Sequence, residues 1–153
     1  SLDGAAELNT YLVASPDVFY FSYIFSATSK NTVTGYHTPD KDVFLLIRSR
    51  AKLIGSRVVF TDNGSATDST WWENDGIVNS RSMRGPTTGG NGSDLIVEYQ
   101  PSKPLIEGRW YTFEPIKLDH YQSVGHMISR EKRSMLDSMF VNHAKLLWSL
   151  PKD

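Results

Sequence analysis

The run of residues from Val18 to Ser26 constrains the fold of this chain more than any other segment. It reads Val-Phe-Tyr-Phe-Ser-Tyr-Ile-Phe-Ser and is almost wholly aromatic or β-branched. A continuous run of this kind predicts a strand covered on both faces, as strands of a parallel sheet are. Asp3–Ala14 has apolar side chains at helical spacing and ends at Ser15-Pro16-Asp17. Since a helix followed by a buried strand is half of an α/β repeat, the sequence predicts an α/β fold.

The rest of the chain predicts further helices and strands of the same fold. Apolar patterning predicts helices over Asp42–Leu53 and Ser129–Leu150 and strands over Ile96–Tyr99 and Trp110–Phe113. The expected buried side of the last helix consists of Met135, Leu136, Met139, Phe140, His143, Leu146, Leu147 and Leu150. The polar or glycine-rich stretches that predict loops are Thr34–Asp40, Thr61–Thr70 and Thr87–Ser93. Because no internal repeat or linker is present, we expect one structural unit over residues 1–153.

Composition excludes several classes of function. With 16 Lys and Arg against 17 Asp and Glu, the chain lacks the basic surplus of a nucleic-acid binder. It has no cysteine, which excludes disulfides, thiolate metal sites and a cysteine nucleophile. No apolar run is long enough to span a bilayer, and the first residues do not have the pattern of a signal peptide. They resemble the middle of a longer chain, because a predicted helix begins almost at residue 1.

Two short segments carry residue types suited to catalysis. Asp75 lies in the string Trp72-Glu73-Asn74-Asp75-Gly76-Ile77-Val78-Asn79, which is typical of a tight turn at a sheet edge. His120 follows a predicted strand, in Leu118-Asp119-His120-Tyr121. Taken singly, each has a structural alternative, as a turn aspartate and as a packed histidine. Together they follow the order acid, histidine, terminal helix that ends an α/β hydrolase.

The chain resembles a known family over most of its length. The matching strings include Ser1-Leu2-Asp3-Gly4-Ala5-Ala6-Glu7-Leu8-Asn9, Phe19-Tyr20-Phe21-Ser22-Tyr23, Thr34-Gly35-Tyr36-His37, Glu73-Asn74-Asp75-Gly76-Ile77-Val78-Asn79, Ser82-Met83-Arg84-Gly85-Pro86, Gly108-Arg109-Trp110 and Asp119-His120. They are similar to the C-terminal portion of the large secreted bacterial lipases of the staphylococcal and thermophilic-bacillus type. The Glu-Asn-Asp-Gly-Ile-Val-Asn string is the most specific of them.

The resemblance implies a fold, an activity and two site residues. The fold is the C-terminal part of an α/β-hydrolase domain, a mostly parallel sheet flanked by helices, and residues 1–153 form that portion. The activity is carboxylic ester hydrolysis, most simply of acylglycerols, by a secreted protein that contacts a lipid interface. Asp75 matches the triad acid of the family and His120 the triad base. Because no Gly-x-Ser-x-Gly string occurs here, the serine is expected on a missing N-terminal half, the chain's partner.

The resemblance also raises a question about calcium. Members of the family bind calcium near the histidine, through a glutamate and an aspartate at positions that hold Gln122 and Met127 in this chain. Since calcium prefers several carboxylate oxygens, we expect none to bind here, although Asp40 or Asp42 could contribute to a rearranged site. No metal site and no organic cofactor are predicted.

One alternative function and one modification stay open on sequence grounds. The alternative is a non-catalytic, processed fragment that serves as a binding or structural domain, which the missing serine favours. The triplets that begin at Asn63 and Asn91 fit the pattern for N-glycosylation.

Overall fold

The described part of the chain consists of short strands, three α-helices and two 3₁₀-helices. In the computed structural model it comprises residue 7 and residues 14–60, 64, 66–85 and 95–151. In chain order its elements are β1 (Tyr20–Ser22), β2 (Thr28–Lys30), β3 (His37–Pro39), α1 (Leu45–Ile54), two 3₁₀-helices (Ser69–Trp71 and Ser80–Arg84), β4 (Ile96–Glu98), β5 (Trp110–Thr112), α2 (His120–Ser123) and α3 (Arg130–Ser149). The helix predicted over Asp3–Ala14, the loop over Thr87–Ser93 and both glycosylation triplets fall wholly or mainly outside these residues.

The main sheet is parallel, as the sequence predicted. Its described strands run in the order β1-β5-β4, and β5 pairs in parallel with both neighbours. Beyond β1, Phe25 forms an isolated parallel bridge with Ile116. The expectation of a strand buried on both faces over Val18–Ser26 was wrong in extent, because β1 spans three residues that are each half-buried. The reason is its place at an edge of the described sheet, where one side lacks a described neighbour.

A second, two-stranded sheet was missed by the sequence analysis. The antiparallel pair β2–β3 joins Lys30 to His37 and Thr28 to Pro39, within a stretch predicted partly as loop. Both strands carry polar side chains, so they lack the apolar alternation by which a strand is recognised. The connecting turn is formed by Asn31, whose Oδ1 accepts hydrogen bonds from the backbone N–H groups of Val33 and Thr34 at 2.9 Å each.

The two predicted helices that lie in the described residues, Asp42–Leu53 and Ser129–Leu150, form close to their expected bounds. Ser129 caps α3 by accepting a hydrogen bond from the Lys132 N–H at 3.3 Å, and Gly55 ends α1. The predicted buried side of α3 is correct only in part. Leu136 is buried, and Met139, His143, Leu146 and Leu150 are half-buried, whereas Met135, Phe140 and Leu147 are exposed. The face of α3 that packs against the rest of the described chain is therefore narrower than the face that carries apolar side chains. Only positions three or four apart take part in that packing.

The buried apolar side chains beside the acid-bearing turn form a small cluster. It consists of Ala27, Val43 and Ile47, with Phe44 and Ile77 packed against it. The cluster joins the segment after β1, the first turn of α1 and the turn that carries Asp75, so it fixes that turn relative to the sheet. None of the helices in the described residues is both long enough and apolar enough to cross a membrane.

Candidate active site

The turn that carries Asp75 is closed by backbone hydrogen bonds between its two ends. Asn74 and Asn79 form an antiparallel bridge, and the Asp75 N–H donates to the Val78 carbonyl at 3.1 Å. Gly76 adopts a φ of 99°, a conformation that a residue with a β-carbon rarely takes. A β-carbon at Gly76 would also lie 2.7 Å from Cδ1 of Ile47. The turn thus needs glycine for its backbone angle and for its packing against α1.

The Asp75 carboxylate is almost completely buried, with 1% of the residue exposed. Its Oδ1 accepts hydrogen bonds from the backbone N–H groups of Ile77 at 2.9 Å and Val78 at 2.8 Å. Charge-assisted hydrogen bonds of this kind hold a carboxylate in one orientation. Since Oδ1 is occupied by the turn itself, Oδ2 is the oxygen that faces the rest of the site.

His120 meets that oxygen. Its Nδ1 lies 2.8 Å from Oδ2 of Asp75, and its backbone N–H donates to the Asp75 carbonyl at 2.9 Å. The predicted contact between the two side chains is therefore confirmed. An ionised carboxylate only accepts hydrogen bonds, so opposite one a neutral imidazole carries its proton on Nδ1, and Nε2 then has the free lone pair.

The imidazole is oriented by a buried group on one side and is open on the other. The His120 side chain is 44% exposed, whereas that of Asp75 is 2% exposed. In the described part of the chain no group hydrogen-bonds to Nε2. This arrangement is that of an acid-oriented histidine, which can accept a proton at Nε2 and return it.

Asn74 holds the acid turn in place, a role that the sequence analysis missed. It is completely buried, and its Nδ2 donates to the carbonyls of Ala51 at 3.1 Å and Trp72 at 2.8 Å. Its Oδ1 accepts from the Gly76 N–H at 2.9 Å. The signal was the Asn next to Asp75, but one of its partners, the Ala51 carbonyl, lies on α1, and no local pattern identifies it.

Asn74→Ala is expected to destabilise the chain by about 1–3 kcal/mol, since it leaves the buried Gly76 N–H without its partner and removes a donor from the carbonyls of Ala51 and Trp72. Chemical denaturation of both proteins measures the free energy of unfolding. Asn142→Ala, at an exposed position of α3, is the matched control and should change it by no more than about 0.5 kcal/mol. A loss at Asn74 no larger than at Asn142 would contradict this account of the turn.

Asp119 and Gln122 form the cap that presents His120. Oδ1 of Asp119 accepts from the N–H groups of Tyr121 and Gln122 at 2.9 Å each, and the Asp119 N–H donates to Oε1 of Gln122 at 3.1 Å. Oδ2 of Asp119 accepts from the Phe44 N–H at 2.8 Å and so holds the start of α1. From the sequence, only His120 was given a catalytic role here, and Gln122 was considered only in connection with calcium. The signal was the acid followed three positions later by Gln122, which is the spacing of a capping box.

The region in which calcium was considered contains a lysine. Nζ of Lys132 forms an ion pair with Asp42 and donates to Oε1 of Gln122 at 3.1 Å. The hydrogen bond from Lys132 lowers the pKa of the Asp42 carboxyl. Asp40 accepts from Ser29 at 2.6 Å. Among the residues whose placement is described, no three His, Cys, Asp or Glu side chains gather as a metal site needs. The absence of calcium stays a prediction, and the ammonium group of Lys132 lies beside Asp42, one of the residues considered for a rearranged site.

Comparison with solved structures gives this geometry a context. The chain superposes on EstA from Clostridium botulinum with a TM-score of 0.74 and 30% identity, over 92% of this chain and 32% of that one. It superposes on lipase 1 from Pelosinus fermentans with a TM-score of 0.73 and 27% identity, over 99% and 38% of the two chains. Staphylococcus hyicus lipase matches with a TM-score of 0.76 over 95% and 34%, but its 22% identity shows the fold alone. No family model matches the sequence.

These matches cover nearly all of this chain and about a third of each solved structure. A parallel sheet flanked by helices together with lipase and esterase neighbours is consistent with an α/β-hydrolase-like fold. The chain therefore resembles a lipase-type family over almost its whole length, and the resemblance seen in its sequence is confirmed.

Proposed function

We propose that this chain supplies the acid, Asp75, and the base, His120, of a Ser-Asp-His triad in a carboxylic ester hydrolase. Its serine would come from a part of the protein outside this sequence, so that the chain is the C-terminal portion of an α/β-hydrolase domain. The observation that carries the proposal is the 2.8 Å contact between His120 Nδ1 and Asp75 Oδ2, with the acid buried and the imidazole half exposed.

The contact supports a defined division of labour between the two side chains. The serine hydroxyl would attack the ester carbonyl while Nε2 of His120 takes its proton. The imidazolium would then protonate the departing alcohol, and a water molecule would resolve the acyl-enzyme by the same route. Asp75 would keep His120 in the required tautomer and stabilise its positive charge. A hydrogen-bond donor pair for the developing oxyanion would have to come from the same outside part as the serine.

The proposed substrate and setting follow from the resemblance. The matched structure from Pelosinus fermentans, at 27% identity, is named a lipase, which favours acylglycerols as substrates. Secretion and contact with a lipid interface are proposed on the same ground. No organic cofactor is needed for this chemistry.

The test is complementation. The chain is assayed alone on a short-chain nitrophenyl ester. We expect no hydrolysis that is sensitive to a serine-directed inhibitor, since the nucleophile is absent. Mixing it with the separately produced part of the protein that carries the serine should restore such activity. The control is His126→Ala, which alters an exposed histidine and should leave the restored activity unchanged.

Each outcome has a distinct reading. Inhibitor-sensitive hydrolysis by the chain alone would contradict the assignment of the serine to another part. If the two parts associate, as sedimentation would detect, and yet hydrolyse no ester, the non-catalytic alternative is favoured.

A further inference from the structure

Lys132 occupies an unusual position for a lysine. It lies in the first turn of α3, and its side chain is only 23% exposed. The ammonium group is held between the Asp42 carboxylate and Oε1 of Gln122. The long apolar stem of lysine is often buried while the charge stays in water, but here the charged end also has two protein partners.

Gln122 connects this cation to the cap of α2. Only 4% of the residue is exposed. Its Oε1 accepts from the Asp119 N–H at 3.1 Å as well as from Lys132, and its Nε2 donates to the Asp42 carbonyl at 3.0 Å. One amide side chain thus joins three segments: the loop before α1, the cap of α2 and the first turn of α3.

The helix that carries His120 depends on such contacts because it is a single turn. It spans four residues, and one turn does not hold its shape without tertiary support. Its first residue is tied to Asp75 through the His120 N–H. Its third residue, Gln122, is tied to Lys132 and Asp42. These attachments lie on either side of Tyr121 and hold the single turn at its first and third residues.

We propose that Lys132 is a positioning residue for His120. Its ammonium group clamps Gln122 and Asp42 together, which holds α2 in the orientation that keeps Nδ1 of His120 on Asp75. The catalytic use of this orientation rests on the proposed function. The effect of Lys132 on the orientation of His120 does not depend on hydrolysis.

The experiment measures the imidazole directly. In the chain labelled with ¹⁵N at histidine, the Nδ1 proton of His120 should resonate far downfield and exchange slowly with water, as a hydrogen-bonded ring proton does. Lys132→Met keeps the apolar stem and removes the charge, and the resonance is expected to disappear as the ring samples both tautomers. Lys132→Arg should retain it. Lys145→Met, at an exposed position of the same helix, is the control and should also retain it.

A second variant protects the test against misfolding. Asp42→Asn removes the charge partner but keeps the backbone carbonyl that Gln122 uses, and it should weaken the same resonance. If Lys132→Met does not fold, as backbone amide spectra would reveal, Asp42→Asn decides the matter alone. Retention of the resonance in a folded Lys132→Met protein, or equal loss in Lys145→Met, would overturn the proposal. None of these readouts depends on ester hydrolysis, so failure of complementation would leave the result intact and distinguishable.

Discussion

His120→Ala is expected to lower kcat of the complemented hydrolase by about 10⁶-fold, the loss seen when a serine hydrolase loses its base. The His120 ring is oriented by Asp75 and its side chain is half exposed. We therefore expect no neighbouring group to replace it in accepting the proton of the serine. Substrate binding does not use this proton, and KM should change little. The measurement is steady-state hydrolysis of a nitrophenyl ester by the two mixed parts, with and without the substitution.

The fold should survive this change. His120 contributes its backbone N–H to Asp75, and alanine keeps that group. His126→Ala is the matched control, because it removes an exposed imidazole from the same segment of the chain. A variant at His120 that retains a tenth or more of the activity would refute its assignment as the base.

Asp75→Asn is expected to lower kcat by about 10⁴-fold while leaving the structure intact. The reason lies in the partners of the two carboxylate oxygens. Two backbone N–H groups, from Ile77 and Val78, point at Oδ1, so the amide oxygen of an asparagine would take that place. The amide NH₂ would then face Nδ1 of His120, which would have to accept. The proton would move to Nε2, where it blocks proton transfer from the serine.

This prediction has two independent checks. The ¹⁵N shifts of His120 should report a change of tautomer, and steady-state kinetics should report the loss of kcat. Asp137→Asn removes one negative charge from an exposed position of α3 and serves as the control for net charge. Activity within tenfold of the unaltered protein, together with an unchanged tautomer, would remove Asp75 from the proposed triad.

The sequence predicted those features that arise from local pattern. The helices predicted over Asp42–Leu53 and Ser129–Leu150 followed from the spacing of apolar residues, and they form as α1 and α3. The strands β4 and β5 were found from their apolar runs, and the parallel pairing from the density of apolar residues in the first strand. The meeting of Asp75 and His120 was predicted from their order along the chain and from the resemblance, rather than from spacing.

What the sequence missed depends on contacts between distant residues. The helix α1 has no capping side chain of its own; the first residue before it is held by Asp119 from 75 positions away. Asn74 is fixed by a carbonyl on α1, and the lysine beside Gln122 lies ten positions along the chain in another helix. Each of these buried polar contacts replaces water with a partner that only the folded chain brings near, so a linear pattern contains no trace of it.

The two hydrogen bonds between His120 and Asp75 have a consequence for how the two loops of this site move. The Asp75 carboxylate is hydrogen-bonded to the His120 ring, and the Asp75 carbonyl accepts a hydrogen bond from the His120 backbone N–H. Because two hydrogen bonds join the two loops, we expect a displacement of one loop to move the other with it. We expect hydrogen exchange at the His120 amide to report the opening of this joint between the two loops, because that amide is hydrogen-bonded to the Asp75 carbonyl.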